Sequence, residues 1–159
     1  MKIGIGQDSH RFCENGNKKI VLGGVFAECD KYIDANSDGD VVFHALTNAV
    51  SGVTCVNVLG EEADKMCADG IVDSAQYLKA ALKHLGNRKI SNVSIAIECA
   101  VPKITPIIPQ MRENIASVLQ IKPDCVGITA TSGENLTPFG KGEGIQVFCT
   151  ILVEEVNCK

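Results

Sequence analysis

Asp8 and His10 stand two residues apart just after Ile3-Gly4-Ile5-Gly6, and His44 follows Ser37-Asp38-Gly39-Asp40 at the start of an apolar-periodic stretch. In an extended segment residues i and i+2 point to one side, so side chains at 8 and 10 can converge on one point. A histidine near the N-terminal end of a following helix can lean over the strand ends and supply a third ligand. Asp, His and His give zinc three protein donors and leave a fourth position open, the arrangement of a catalytic site. The same residues also suit a blander account, with His10 on a surface turn and His44 satisfied within its helix. What favours the metal is that a chain with only three histidines places two of them in its segments richest in acidic residues and glycine. His84, on an otherwise charged helix face, reads as an ordinary surface residue.

A second polar constellation is Thr129-Ala130-Thr131-Ser132-Gly133-Glu134. Hydroxyls, a glycine and a carboxylate after a strand can hold phosphate oxygens and a hard cation such as magnesium, although a plain polar loop looks the same. Gly140-Lys141-Gly142-Glu143-Gly144 is a flexible turn that does not match a phosphate-binding loop and is read as structural.

These groups need elements to carry them. Lys2 to Ile5 reads as a short opening strand, with Gly6 freeing the backbone before Asp8. Lys19 to Phe26, broken by Gly23-Gly24, reads as a second extended or hairpin segment. Ser37 with Asp40 fits a capping box, so a helix begins near residue 38 and ends at Gly52 and the stretch Val53 to Val58. Gly60 to Gly70 reads as a mobile acidic loop. Asp73 caps a second helix that stops at Gly86, and Pro109 opens a third that ends before Pro123. Asn92 to Cys99, Val126 to Thr131 and Ile145 to Glu154 read as strands. The last is apolar on both parities over Val147 to Val153, which predicts two buried faces, one of them covered by another subunit. The expectation is an α/β (α+β sandwich) fold, one mixed β-sheet with helices packed on one face.

The 159 residues point to a single domain, 1–159, and 45% hydrophobic residues suffice for its core. With 15 Lys and Arg against 19 Asp and Glu, the chain lacks the basic footprint of a nucleic-acid binder. No apolar run approaches the roughly 20 residues that span a bilayer, and Met1 to Gly6 meets polar residues too soon for an export signal. A cytoplasmic location follows, or an organelle stroma for a trimmed chain. The eight scattered cysteines form no Cys-x-x-Cys pair and are read as reduced thiols.

Together these segments resemble the 2-C-methyl-D-erythritol 2,4-cyclodiphosphate synthase family over nearly the whole chain. The motifs are Ile3 through His10, Asn36-Ser37-Asp38-Gly39-Asp40 leading to His44-Ala45-Leu46-Thr47, Pro102-Lys103, Ile108 to Arg112, Ala130 to Glu134 and Gly140 to Gly144. The resemblance implies a trimer-forming fold with active sites between subunits of a homotrimer. It implies zinc on Asp8, His10 and His44, and a second divalent ion, Mg2+ or Mn2+, held with substrate by Glu134. It implies a cytidine pocket of Cys99, Ala100, Val101, Pro102, Lys103, Ile104 and Thr105 with Ala130 and Thr131. Ser37, Val58, Gly60, Ser132 and Lys141 then fall at substrate-binding positions, and Asn36 and Ser132 at catalytic ones. The implied reaction is an intramolecular phosphoryl transfer that converts 4-(cytidine 5'-diphospho)-2-C-methyl-D-erythritol 2-phosphate to the 2,4-cyclodiphosphate and CMP.

The chain departs from the family pattern at four places. Asn36 stands where histidine is usual, Val58 where aspartate is common, and Ser132 where threonine is found. Thr137-Pro138-Phe139-Gly140-Lys141 replaces a Gly-Phe-x-Gly-Arg pattern that lines an isoprenoid-phosphate cavity on the trimer axis. Lysine cannot match a bidentate guanidinium, so that binding is not carried over. Asn36 and Val58 motivate an alternative reading, a trimer that binds cytidine nucleotide or isoprenoid phosphate with weakened catalysis. A zinc-dependent phosphohydrolase is a third reading, for which no general base is evident.

Overall fold

Twelve residues of extended chain open the computed structural model, which describes residues 1–156. Strand β1 (Lys2–Cys13) is much longer than Lys2 to Ile5, because it pairs with the final strand β7 (Gly144–Glu155) from Lys2↔Val153 to Arg11↔Gly144. Asp8 and His10 therefore lie within a strand. The short β2 (Val21–Leu22) and β3 (Val25–Phe26) form a hairpin, the second of the two forms the sequence allowed, with Gly23 and Gly24 at φ +56 and +73 as a tight two-residue turn requires. Strand β4 (Tyr32–Ile33) borders the end of β1, and β5 (Arg88–Glu98) and β6 (Val126–Thr131) complete a five-stranded sheet in the order β4-β1-β7-β5-β6. Only β5 and β6 run parallel, joined through helix α4 (Ile108–Leu119), so the sheet is mixed as expected.

Helix α1 (Val41–Thr54) lies on β1, and α3 (Ser74–Leu82) packs against α1. Alternate residues Gly4, Gly6 and Phe12 of β1 are buried on the helix face, as are Val147, Cys149, Ile151 and Val153 of β7. The opposite parity is open: Ile3 is 67%, Ile5 69% and Phe148 49% exposed. Within this chain helices cover one face of the last strand, and the other face, the one expected against another subunit, is open to the outside. Cys99 and Cys149 are buried, and burial pushes both thiols up to about 12, so they pack as neutral groups. Seven cysteines are free among the described residues, while Cys158 lies outside them. No helix of the described residues is long and apolar enough to cross a membrane.

Two further expectations are corrected and one is narrowed. Gly60 to Gly70 is not a loop, since Glu61–Ala68 form helix α2. Glu61, Glu62 and Asp64 in its first turn suit the positive end of the helix dipole, and Ala63 is its only buried residue, so little apolar periodicity reveals it. Gly52 lies inside α1, which closes within the expected Val53 to Val58 stretch, at Cys55 in a left-handed conformation, φ 62. Finally, Ser37 does not cap α1.

Asp40 is the cap, and it is fully buried. Its Oδ1 accepts from the N–H groups of Gly23, Val42 and Phe43 at 2.9, 3.1 and 3.1 Å, and Oδ2 from Gly24 at 2.7 Å. One carboxylate thus ties the β2–β3 turn to the start of α1. Asp40→Asn would turn an amide donor toward one of these N–H groups, and urea denaturation is expected to show a loss of about 1–3 kcal/mol. Burial pushes the Asp40 carboxyl up to about 6 against those N–H groups. A carboxyl raised on folding contributes stability that is full below its unfolded value and fades as pH rises through about 6. The gap between wild type and Asp40→Asn should therefore be widest near pH 4 and narrow toward neutrality.

Candidate metal centre

The helix face of β1 bears glycine at 4 and 6 and ligand-type residues at 8 and 10, and this order matches the helix lying on it. A Cβ at Gly6 would sit 1.9 Å from the Ala45 carbonyl oxygen, and one at Gly4 2.3 Å from that of Ala49. Helix α1 touches the strand backbone there, and its N-terminal end reaches the level of Asp8. Gly6 is present to allow this approach rather than to free the backbone, as its sequence position had suggested.

The contact brings three donor atoms together. His44 Nδ1 lies 3.0 Å from Asp8 Oδ2 and 3.1 Å from His10 Nε2, and His10 Nε2 lies 3.4 Å from Asp8 Oδ2. Zinc with tetrahedral bonds of about 2.0–2.1 Å has ligand atoms about 3.3 Å apart, so this donor set fits one such ion. Among the described residues these three form the one metal-ligating cluster of its kind. Burial holds His10 below the usual histidine value despite the Asp8 carboxylate, which favours the neutral ring a metal needs.

Behind His44 stands a hydrogen-bonded support that sequence reading missed. Ser74 N–H donates to Asp38 Oδ2 at 3.1 Å, and Ser74 Oγ donates to Asp38 Oδ1. With its proton so committed, Ser74 Oγ accepts from His44 Nε2 at 2.8 Å, which assigns the ring proton to Nε2 and leaves Nδ1 its lone pair. The Tyr77 ring lies 6.1 Å from the His44 ring, and its hydroxyl, pushed by desolvation up to about 12, donates to Ile71 O at 2.6 Å. In the sequence Asp73-Ser74 showed only its capping role, and Asp73 does accept from Ala75 N at 2.9 Å. Ser74→Ala is expected to weaken zinc binding about 10- to 100-fold in a chelator competition, with the fold unchanged.

The triad opens into a cavity of about 440 Å3. Asp34, Ala35, Asn36 and Ser37 line one side, Leu59, Gly60, Asp64 and Cys67 another, with Tyr77 at the back. Asp8, Asp34 and Asp64 are carboxylates, and neither Lys nor Arg lines it. Of the expected substrate residues Asn36, Ser37 and Gly60 lie here. Val58 does not: it is fully buried in the core, and its carbonyl accepts from Ala63 N at 3.1 Å at the start of α2.

The remaining site residues form a second cluster. Cys99 N–H donates to Thr131 O at 3.1 Å and Ala100 N–H to Phe139 O at 3.0 Å, which draws the 99–105 loop to the 130–134 and 137–142 segments. Val101, Lys103 and Thr105 are exposed there, Pro102 and Ile104 are buried, and Ala130, Thr131, Ser132, Glu134 and Lys141 are exposed. Glu134 holds a left-handed backbone, φ 48 and ψ 36, costly for a residue with a side chain. Across the sheet Asp8 pairs with Val147, Val147 with Ile97 and Ile97 with Ala130. Three strand spacings of about 4.8 Å set the two clusters roughly 14 Å apart at the same end of the sheet.

Comparison with known proteins bears on the family and the fold. Residues 1–154 match the model of the YgbB family. The chain is 53% identical over 157 residues to the 2-C-methyl-D-erythritol 2,4-cyclodiphosphate synthase of Chlamydia muridarum, covering 97% of this chain and 88% of that one. It superposes on the Plasmodium vivax synthase with a TM-score of 0.82 at 30% identity, covering 98% of both chains. For the CDP complex of IspF from Plasmodium falciparum the TM-score is 0.81 at 28% identity, over 98% of this chain and 96% of that chain. A full-length family match, a relative at this identity and a shared architecture lead to one conclusion: the chain belongs to the YgbB family, that of the 2-C-methyl-D-erythritol 2,4-cyclodiphosphate synthases.

Proposed function

We propose that the protein cyclises 4-(cytidine 5'-diphospho)-2-C-methyl-D-erythritol 2-phosphate, releasing CMP and 2-C-methyl-D-erythritol 2,4-cyclodiphosphate, in isoprenoid biosynthesis by the non-mevalonate route. The observation that carries this is the convergence of Asp8, His10 and His44 within 3.4 Å in a cavity lined by neither Lys nor Arg. A polyanionic substrate would be repelled by Asp8, Asp34 and Asp64 unless cations offset them. Zinc on the triad would supply that charge and polarise phosphate oxygens from its open position.

The chain's own part is placement. An oxygen of the 2-phosphate bonds to the β-phosphorus while the bond from that phosphorus to the oxygen bridging to the α-phosphorus breaks, and CMP leaves with that oxygen. No protein nucleophile takes part, so catalysis rests on bringing two ends of one substrate together. Asn36 and Ser37 donate to phosphate oxygens from the cavity wall, and Asp34 and Asp64 can accept from the polyol hydroxyls. Cys99 to Thr105, with Lys103, Ala130 and Thr131, hold the cytidine end. Ser132 and Glu134 face its diphosphate, Glu134 with a second ion, Mg2+ or Mn2+; its left-handed backbone supports such a role. Lys141 lies beside this loop.

A homotrimer suits two observations. Ile3, Ile5 and Phe148 expose an apolar strip on the helix-free face of the sheet, and burying it against copies of itself would be favourable. The roughly 14 Å between the clusters leaves each site to be completed by a neighbour. In this reading residues 1–159 act as one domain of a cytoplasmic enzyme. Asn36 keeps a hydrogen-bond donor where a histidine would add charge, and Val58 lies in the core, so neither disables the site. Incubation of the protein with the cytidine diphosphate substrate, Zn2+ and Mg2+ is expected to release CMP without inorganic phosphate. Absence of CMP at every metal concentration would reject the reading, and inorganic phosphate would favour hydrolysis instead.

A further inference from the structure

One ammonium group is committed to the backbone of the loop that forms the cavity wall. Lys18 Nζ donates to Asn36 O at 2.9 Å and to Ser37 O at 2.7 Å, and also contacts Ala35 O. Its three N–H donors thus meet three consecutive carbonyls. In an extended chain successive residues alternate in direction, so three consecutive carbonyls reach one point only if the backbone is curled. That brings three negative dipole ends together, which costs energy unless a cation sits among them.

The curl has a consequence for the side chains. With the carbonyls of residues 35 to 37 turned to Lys18, the side chains of Asn36 and Ser37 line the cavity. The far end of the loop is fixed independently, by Asp38 N–H to Val72 O at 2.9 Å and by the Asp38 carboxylate on Ser74. The near end is fixed by Asp34 N–H to Arg11 O at 3.2 Å. Between those anchors Ser37 Oγ accepts from Gly39 N at 3.2 Å and lies 3.3 Å from His44 Nε2, and Lys18 is the group that gathers the carbonyls of the wall. It lies outside the metal cavity and supplies no zinc ligand.

We propose that Lys18 is a positioning residue for turnover, which holds the 35–37 backbone so that Asn36 and Ser37 present their polar groups to the bound phosphates. The inference rests on the synthase reading for those two side chains. Lys18→Met keeps the stem and removes the charge. Zinc stoichiometry should stay at the wild-type level and affinity within about threefold of it, because the ligands come from β1 and α1 and the shorter contact of His44 Nε2, to Ser74 Oγ at 2.8 Å, lies outside the loop. kcat/KM for CMP release should fall about 10- to 100-fold, as for a modest misplacement remote from the reacting atoms. Lys18→Arg should recover part of the loss, since its fork restores the charge and suits two of the three carbonyls.

A second readout needs no turnover. Cys67 Sγ, half-buried, lies 3.8 Å from Asn36 O, so release of the loop exposes the thiol further. Peptide-resolved alkylation by iodoacetamide should modify Cys67 about tenfold faster in Lys18→Met than in wild type, with Lys18→Arg between them. Both rates within about twofold of wild type would overturn the proposal. So would loss of zinc from the folded Lys18→Met protein, which would make Lys18 a general scaffold residue. If Lys18→Met does not fold, Lys18→Gln, which removes the charge and keeps two of the three N–H donors, gives the same comparison. If wild-type protein releases no CMP, the synthase reading falls, while the Cys67 rates still decide whether Lys18 holds the loop.

Discussion

His44→Ala is expected to abolish zinc binding at stoichiometric concentrations and to lower CMP release by more than about 100-fold. Removing an outer partner of a metal ligand typically costs 10- to 100-fold, and deleting the ligand itself costs more. Two donors remain, Asp8 and His10, and both belong to one strand, so they approach the ion from one side only. Structurally the change is mild. His44 is 8% exposed, and its loss leaves a small void beside Tyr77 and frees Ser74 Oγ to keep its bond to Asp38. Circular dichroism should remain that of wild type, and the urea midpoint should shift by the equivalent of about 1–2 kcal/mol. His84→Ala is the control: His84 is exposed at the end of α3, and metal content and turnover should not change.

Gly6→Ala is expected to damage fold and site together. A methyl group there would lie 1.9 Å from Ala45 O and 2.5 Å from Ala49 N, both backbone atoms of α1 that no rotamer change can move. Overpacking typically costs about 1–3 kcal/mol, and a clash with helix backbone belongs at or above the top of that range. Relief requires α1 to lift from β1, which carries His44 away from Asp8 and His10. Weakened zinc binding should thus accompany the loss of stability in any fraction that folds. Gly52→Ala makes the contrast. Its Cβ would meet nothing closer than Ile5 O at 3.6 Å, an ordinary contact in a helix interior, so urea denaturation should show a gain of about 0.5–1 kcal/mol.

These two glycines show what a sequence can and cannot disclose here. Elements with strong periodicity or punctuation were legible: β6 is Val126–Thr131 as read, α3 starts after Asp73, and the Gly23-Gly24 hairpin is in place. Helix α2 was hidden because Ala63 alone of its residues is buried, and the acidic residues that suit its first turn also suit a loop. Strand β1 extends beyond the sequence reading because its register with β7, from Lys2↔Val153 to Arg11↔Gly144, joins distant parts of the chain and leaves no local trace. Gly6 reads as flexible in sequence, and only the packed helix shows that it must lack a side chain. The i and i+2 spacing of Asp8 and His10 foretold a shared face, and His44 lies where a helix start was expected. Ser74 and Asp38 could not be found this way, since a serine after a capping aspartate signals only a helix start. The separation of the Lys103 and Glu134 loops from the triad is equally invisible, being set by the order of strands in the sheet.

Titration of metal-free protein with Co2+, followed by its visible absorption and by competition with Zn2+, tests the centre most directly. The structure predicts one ion per chain with the intense bands of a tetrahedral site, displaced by one equivalent of Zn2+ and lost in His44→Ala. Binding unchanged by that substitution, or no binding to the folded wild-type protein, would contradict a metal held by Asp8, His10 and His44.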